Sequence, residues 1–155
     1  MEREEQIQIV NSWLQDLSSV LEVKLSLDNE GVCTFQIGEN LISLEVSSDF
    51  PMVHIYSPLL ALSAEDKDSN TALLVKALEL NAFQVLTRGG AIAAVPGGGF
   101  LIYCYSIPIP NTNSEQFSSA LETFFETIPE IKSLLIEPSD IIPKAEKMTP
   151  GFLKI

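Results

Sequence analysis

The sequence predicts an α+β domain in the order α-β-β-β-α-β-β-α, with a five-stranded antiparallel sheet and three helices. Apolar residues recur at helical spacing in three segments. Five strand-like runs form a group of three and a pair, and each group is joined by connections too short for the crossover between parallel strands. The 155 residues suffice for one core. We expect residues 1–136 to form this domain and residues 137–155 to form a proline-containing C-terminal tail.

The composition combines acidity with hydrophobicity. The chain has 9 basic and 21 acidic side chains and a formal net charge of −12, yet 46% of its residues are hydrophobic. Acidic disordered segments contain few large apolar residues, so this chain is expected to fold. Its basic residues are scattered and do not form the cluster that phosphate-backbone binding needs, which excludes nucleic acid binding as the main function.

The N-terminus and the cysteines indicate a soluble cytoplasmic protein. The charged residues 1–5 are not followed by the apolar run of a secretory signal, and no window approaches the ~20 apolar residues of a membrane span. Cys33 and Cys104 lie in separate apolar runs. Free buried thiols are therefore expected rather than a disulfide.

The first segment predicts an amphipathic helix followed by three strands. The core-facing stripe of the helix consists of Ile7, Val10, Leu14, Leu17 and Leu21. Ile9, Trp13 and Val20 lie beside this stripe and make it wider than one core contact needs. After a turn at residues 28–31, strands are predicted at Val32–Ile37, Leu41–Val46 and Met52–Tyr56.

Pro58–Asp68 reads as a loop, and the second helix is predicted to begin after Ser69 or Asn70 and to run to Thr87. Its residues are apolar on nearly all sides, so it should be buried on more than one side. Gly89 and Gly90 are expected to end it, because many helices close with a left-handed residue.

A hairpin and a third helix complete the domain. The predicted strands Ala91–Val95 and Phe100–Ile107 flank the turn Pro96–Gly99. The third helix should begin at a cap formed by Asn113 or Ser114. We expect Pro129 to interrupt it and Pro129–Ile136 to form a further short helix with proline at its first position.

The sequence contains no constellation that predicts catalysis, a cofactor or a metal. His54 is the only histidine, and Cys33 and Cys104 are isolated from it in the sequence. The acidic pair Asp66 and Asp68 fits a solvated loop better than a cation site, and the glycine run 97–99 lacks the Lys-Ser/Thr of a phosphate loop. An enzyme or small-molecule-binding domain is thus the least favoured alternative. The surplus apolar surface instead favours an oligomer or a peptide-binding surface.

Two segments resemble the class I type III secretion chaperones of the Tir chaperone (CesT-like) family. They are Ser57-Pro58-Leu59 with the polar loop after it, and residues 73–81, a leucine-rich helix that ends in "Leu-x-x-Asn". The small-residue strand that opens at Gly90 also matches. The resemblance spans about residues 3–135 and implies a non-enzymatic homodimer in the bacterial cytoplasm. Such a dimer binds the N-terminal segment of one or more effectors, keeps it non-globular, soluble and secretion-competent, and presents it to the secretion ATPase.

The resemblance also implies two sets of contact residues. The second helix and the hairpin would form the dimer interface through Leu73, Leu74, Ala77, Leu78, Leu80, Ile92, Ala94, Leu101 and Tyr103. The first helix and the sheet would form the effector grooves through Ile9, Trp13, Val32, Phe35, Leu44 and Val46. The alternative function, from a different class, is a scaffold or regulatory adaptor with the same fold that binds folded partners and has no role in secretion.

Overall fold

The chain forms nine helices and strands along residues 1–137, the part that the computed structural model describes. The helices are α1 Arg3–Leu21, α2 Lys67–Asn81, α3 Gln84–Thr87 and α4 Ser114–Ile136; the strands are β1 Val32–Ile37, β2 Asn40–Val46, β3 Met52–Ala61, β4 Ala91–Ala94 and β5 Phe100–Pro108. The α+β class is confirmed, and the extra helix is the short α3. The predicted tail lies outside the described residues apart from Glu137, so the division into domain and tail stays a prediction.

The five strands form one antiparallel sheet in the order β1-β2-β3-β5-β4. Alternate residues of each strand are buried, as in β2, where Ile42, Leu44 and Val46 have no exposed surface. This alternation puts one apolar face toward α1 and α4 and leaves a mixed face on the other side. Polar pairs lie on that second face, including Thr34 Oγ1 with Ser43 Oγ at 2.9 Å.

β3 continues five residues beyond the predicted end and runs through Pro58. The pairing of β3 with β5 shifts register between Pro58 and Leu60, which marks a β-bulge. A bulge accommodates a residue that has no N–H to donate to the ladder, so the strand does not end at the proline. The prediction of a loop from Pro58 was therefore wrong for residues 58–61.

α2 begins before the predicted start because its cap is Asp66. The Asp66 carboxylate accepts a 2.9 Å hydrogen bond from the Ser69 N–H. Asn70, one of the predicted caps, instead binds the backbone of Ser63 through both its side-chain oxygen and its nitrogen. The helix also ends earlier than predicted, at Asn81, since Phe83 leaves the helical conformation (φ −115°, ψ 84°) and packs against the core.

α4 is one continuous helix of 23 residues with Pro129 inside it. Asn113 is the cap, and its side-chain oxygen accepts a 2.8 Å hydrogen bond from the Gln116 N–H. The side-chain oxygen of Gln116 in turn accepts a 3.0 Å hydrogen bond from the Asn113 N–H. The predicted interruption at Pro129 was wrong. Ile128 and Ile131, on either side of the proline, are 0% and 1% exposed, and their burial in the core holds the helix together across the missing hydrogen bond.

Candidate protein-binding surfaces

α2 and α3 expose a row of apolar side chains that the rest of residues 1–137 does not cover. Val75, Leu78 and Val85 have 50%, 70% and 82% of their surface exposed. Val75 and Leu78 lie three residues apart on one face of α2, and the exposed Ala82 and Val85 follow after the end of that helix. We call Val75, Leu78, Ala82 and Val85 the α2–α3 stripe. Several exposed apolar side chains on one short segment are typical of a site of protein contact.

The structure divides the predicted dimer-interface residues into an accessible group and a core group. Leu78 and Ala94 are exposed, and Leu73 and Leu74 are half-buried. The remaining five are at most 5% exposed and belong to the core of the chain: Ala77, Leu80, Ile92, Leu101 and Tyr103. Val75 and Val85 were not among the residues predicted from the sequence, although the shared helical face of Val75 and Leu78 was a usable signal.

The side-chain amide of Asn81 fixes α2 against the sheet. Its Nδ2 donates to the Ile92 carbonyl at 2.9 Å, and its Oδ1 accepts from the Ile92 N–H at 2.7 Å. Ile92 lies in β4, an edge strand of the sheet, so the amide occupies backbone groups that another strand would use. This pairing holds the α2–α3 stripe in a defined position relative to the hairpin.

Tyr103 connects the end of α3 to α4. Its ring stacks on Phe124 of α4 with the ring centroids 4.6 Å apart, and its hydroxyl donates to the Thr87 carbonyl at 2.7 Å. Burial in the core raises the pKa of Tyr103 to about 12. The side chain therefore stays neutral at physiological pH and acts as a structural hydrogen-bond donor for the end of α3.

A second accessible apolar surface lies between α1 and α4. This α1–α4 groove has a volume of about 320 Å³ and is lined mainly by apolar residues: Leu17, Val20, Leu21, Ile37, Leu121 and Phe125. Val20 is 78% exposed at its rim, and Glu122 provides a negative charge there. Leu17 and Leu21 pack against the core, as expected, and their remaining exposed surface forms a wall of the groove.

Most of the predicted effector-binding residues lie in the core. Trp13, Phe35, Leu44 and Val46 are at most 9% exposed, so in this conformation they cannot contact a second protein. Trp13 is covered because α4 lies over it, and its ring is 5.2 Å from that of Phe117. Two residues of the predicted set, Ile9 and Val32, remain half-buried and accessible.

Among residues 1–137, no hydrogen-bond partner occupies part of the outer backbone edge of β1, close to this groove. The Gly31 carbonyl accepts from the Val46 N–H at 2.9 Å, so by alternation the backbone groups of Thr34 and Gln36 point away from β2. The outward-pointing backbone groups of Val32 are already bonded to Asp28. The Val32 N–H donates to Asp28 Oδ1 at 2.9 Å, and the Val32 carbonyl accepts from the Asp28 N–H at 2.8 Å. The free part of the edge thus ends one residue before Ile37, which lines the α1–α4 groove.

The residues considered for catalysis or metal binding are dispersed in the structure. Nδ1 of His54 lies 2.8 Å from Ser106 Oγ on the mixed face of the sheet. Cys33 and Cys104 are free, and burial raises the pKa of both thiols. Within residues 1–137 there is no group of three His, Cys, Asp or Glu side chains that is suited to a metal ion. Nor does any helix in that range have the length and hydropathy of a membrane span.

An accessible stripe, an apolar groove and a free strand edge on one small domain are features of a protein-binding protein. The chain belongs to the Tir chaperone protein (CesT) family, whose family model matches residues 12–132. The resemblance predicted from the sequence is thereby confirmed. The protein is a chaperone of the type III secretion class, and this family is not a class of enzymes.

Several solved structures with the same fold are complexes of two proteins. The HopA1–SchA chaperone–effector complex has a TM-score of 0.64 at 17% identity, over 84% of this chain and 97% of that chain. The ExsC–ExsE complex has a TM-score of 0.63 at 12% identity, over 90% of this chain and 97% of that chain. The ExoT–SpcS complex from Pseudomonas aeruginosa has a TM-score of 0.58 at 18% identity, over 79% of this chain and 96% of that chain. At these sequence identities, the structural similarity establishes the fold alone. Comparison with curated protein sequences finds no match.

Proposed function

We propose that the chain acts as a homodimer that binds the N-terminal segment of one or more secreted effectors and keeps it non-globular and secretion-competent. The observation that supports this proposal is the presence of two separate accessible apolar surfaces on one domain. The α2–α3 stripe would serve a second copy, and the α1–α4 groove would serve the client. The protein would work in the bacterial cytoplasm without enzymatic activity or a cofactor and would pass its client to the secretion ATPase.

The α2–α3 stripe suits a second copy because it can pair with itself. A two-fold interface brings the same patch together from both subunits, so an uncharged apolar row is self-complementary. Leu78 lies in the middle part of the row and is 70% exposed in the single chain. Covering it from both subunits would bury large aliphatic side chains that otherwise contact water.

The α1–α4 groove with the β1 edge suits an extended client. The client backbone can bond to the free groups of Thr34 and Gln36 while an apolar side chain enters the groove beyond Ile37. Glu122 at the groove and the net charge of −12 favour a client segment that carries basic residues. Because a disordered segment loses entropy when it binds, such contact remains reversible.

The proposal is tested by the state of the captured partner. The tagged protein is purified from its native bacterium, and its partner is identified by mass spectrometry and subjected to limited proteolysis. A secretion client should leave a protected segment near its N-terminus that has no fold of its own when released. A partner that stays fully folded and protected as a globular domain would instead support the adaptor function.

Val20→Lys should weaken binding of that protected segment at least ten-fold. Val20 lies at the α1–α4 groove, and replacing it with a charge removes the burial of a valine side chain, about 1.5–3 kcal/mol, where about 1.4 kcal/mol corresponds to ten-fold. Fluorescence anisotropy with the labelled segment measures the change. Val23→Lys is the matched control, since Val23 is 51% exposed and does not line the groove. Equal binding by both variants would contradict this assignment.

A further inference from the structure

A third apolar surface lies on another face of α2, toward the end of α4. We call it the α2–α4 groove; it has a volume of about 640 Å³, and its lining is apolar apart from Ser69, Lys76 and Glu79: Leu60, Ala72, Leu73, Val75, Leu135 and Ile136. Ile136 is 71% exposed. Only Val75 is shared with the α2–α3 stripe, so the groove is a largely separate surface.

The described chain ends at the wall of this groove. Ile136 lines it, Glu137 follows directly, and residues 138–155 come next. The lining part of α2 runs from Ser69 to Glu79, about 15 Å of helix at 1.5 Å per residue. An extended chain reaches about 16 Å in five residues, so Ile141 and Ile142 are within reach of the whole groove.

The composition of residues 138–155 fits an apolar groove on an acidic protein. The segment contains five large apolar side chains besides Met148: Ile141, Ile142, Phe152, Leu153 and Ile155. It has three lysines against two acidic residues, a net charge of +1, whereas residues 1–137 have six basic and nineteen acidic residues, a net charge of −13. Opposite net charges favour association of the segment with the domain. The segment also lies beyond residue 132, where the family match ends.

We propose that residues 138–155 bind in cis to the α2–α4 groove, with Ile141 and Ile142 as the apolar anchors. Tethering makes this binding effective, because a short linker holds a segment at an effective concentration of about millimolar. The bound segment covers the exposed apolar side chains of Val75 and Ile136. The bound segment thereby competes with other proteins for this face of α2, next to the proposed dimer interface.

Photo-cross-linking in the full-length protein tests this proposal. p-Benzoylphenylalanine replaces Ala72, which is exposed in the α2–α4 groove, or Val23 as a control outside it. A mixture of ¹⁴N- and ¹⁵N-labelled protein distinguishes cross-links within one chain from those between copies. We expect intrachain cross-links from position 72 to residues 138–155, and none from position 23.

Substitutions in the segment identify the anchors. Ile141→Ser with Ile142→Ser should lower the intrachain cross-link yield at least five-fold, whereas Phe152→Ser with Leu153→Ser should leave it within two-fold. Any of three results would overturn the proposal. They are loss of cross-linking in both double variants, absence of cross-links to the segment, and cross-links only between copies. The last result would make the groove an interface between copies. Because the readout uses neither a client nor dimerisation, its failure would leave the proposed chaperone function untouched.

Discussion

At the residue scale, Asn81 explains the "Leu-x-x-Asn" end of the leucine-rich helix. Its amide presents one donor and one acceptor to Ile92, as a neighbouring strand would. The pairing satisfies part of the β4 edge and sets where α2 ends. A sequence pattern identified the residue, but the contact that gives it a role crosses from a helix to an edge strand and follows from no local rule.

Gly90 is constrained by the Tyr103 ring and not by its backbone angle. A Cβ at position 90 would lie 2.3 Å from Tyr103 Cε2 and 2.7 Å from its hydroxyl oxygen. Because Tyr103 is 1% exposed and stacks on Phe124, the ring has little freedom to move away. Only glycine fits at this position.

Gly90→Ala should therefore destabilise the protein by about 1–3 kcal/mol, the usual cost of overpacking a well-packed site. Urea unfolding followed by the fluorescence of Trp13, the single tryptophan, gives the change in unfolding free energy. An unchanged or raised unfolding midpoint would show that the Tyr103 ring is free to shift and that the proposed steric constraint is wrong.

At the element scale, α4 shows how packing outweighs local propensity. A proline inside a helix costs about 3 kcal/mol, which led to the prediction of a break at Pro129. Ile131 and Leu135 beyond the proline are 1% and 4% exposed, and burying each such side chain contributes about 1.5–3 kcal/mol. The continuous helix is favoured because a break would remove both from the core.

Pro129→Ala should stabilise the protein by about 1–3 kcal/mol, because it restores a helical N–H donor and removes the clash with the preceding turn. Pro129 is exposed, so no core contact is lost. Urea unfolding monitored by Trp13 fluorescence measures the gain. Ser133→Ala, at an exposed position of the same helix, should change the unfolding free energy by only a few tenths of a kcal/mol. A destabilised Pro129→Ala protein would contradict this account of α4.

At the scale of the whole molecule, apolar surfaces coexist with a strongly acidic charge. The net charge of −12 makes copies and unrelated acidic proteins repel one another at a distance. Exposed side chains such as Val20, Leu78 and Ile136 would otherwise favour non-specific association. Contact with a specific partner then depends on shape and local charge at each surface.

Leu78→Glu should convert the proposed dimer into a monomer. The substitution places two like charges in an apolar two-fold interface, and we expect the dimer dissociation constant to rise at least 100-fold, about 2.7 kcal/mol. Size-exclusion chromatography with light scattering should show twice the 17.0 kDa chain mass for the unmodified protein and a single chain for the variant. Val23→Glu, away from the α2–α3 stripe, should remain dimeric. A monomeric unmodified protein would refute the proposed dimer.

Sequence patterns were sufficient to predict the α+β class, the order of the strands along the chain and the resemblance to the secretion chaperones. These follow from local periodicity and turn residues, which act over a few neighbours. Which apolar residues are accessible depends on how the helices pack on the sheet. Trp13 and Leu44 lie in the core, whereas Val20 and Val75 face solvent. Periodicity identifies the apolar face of an element, but the exposure of its residues depends on which distant element covers that face.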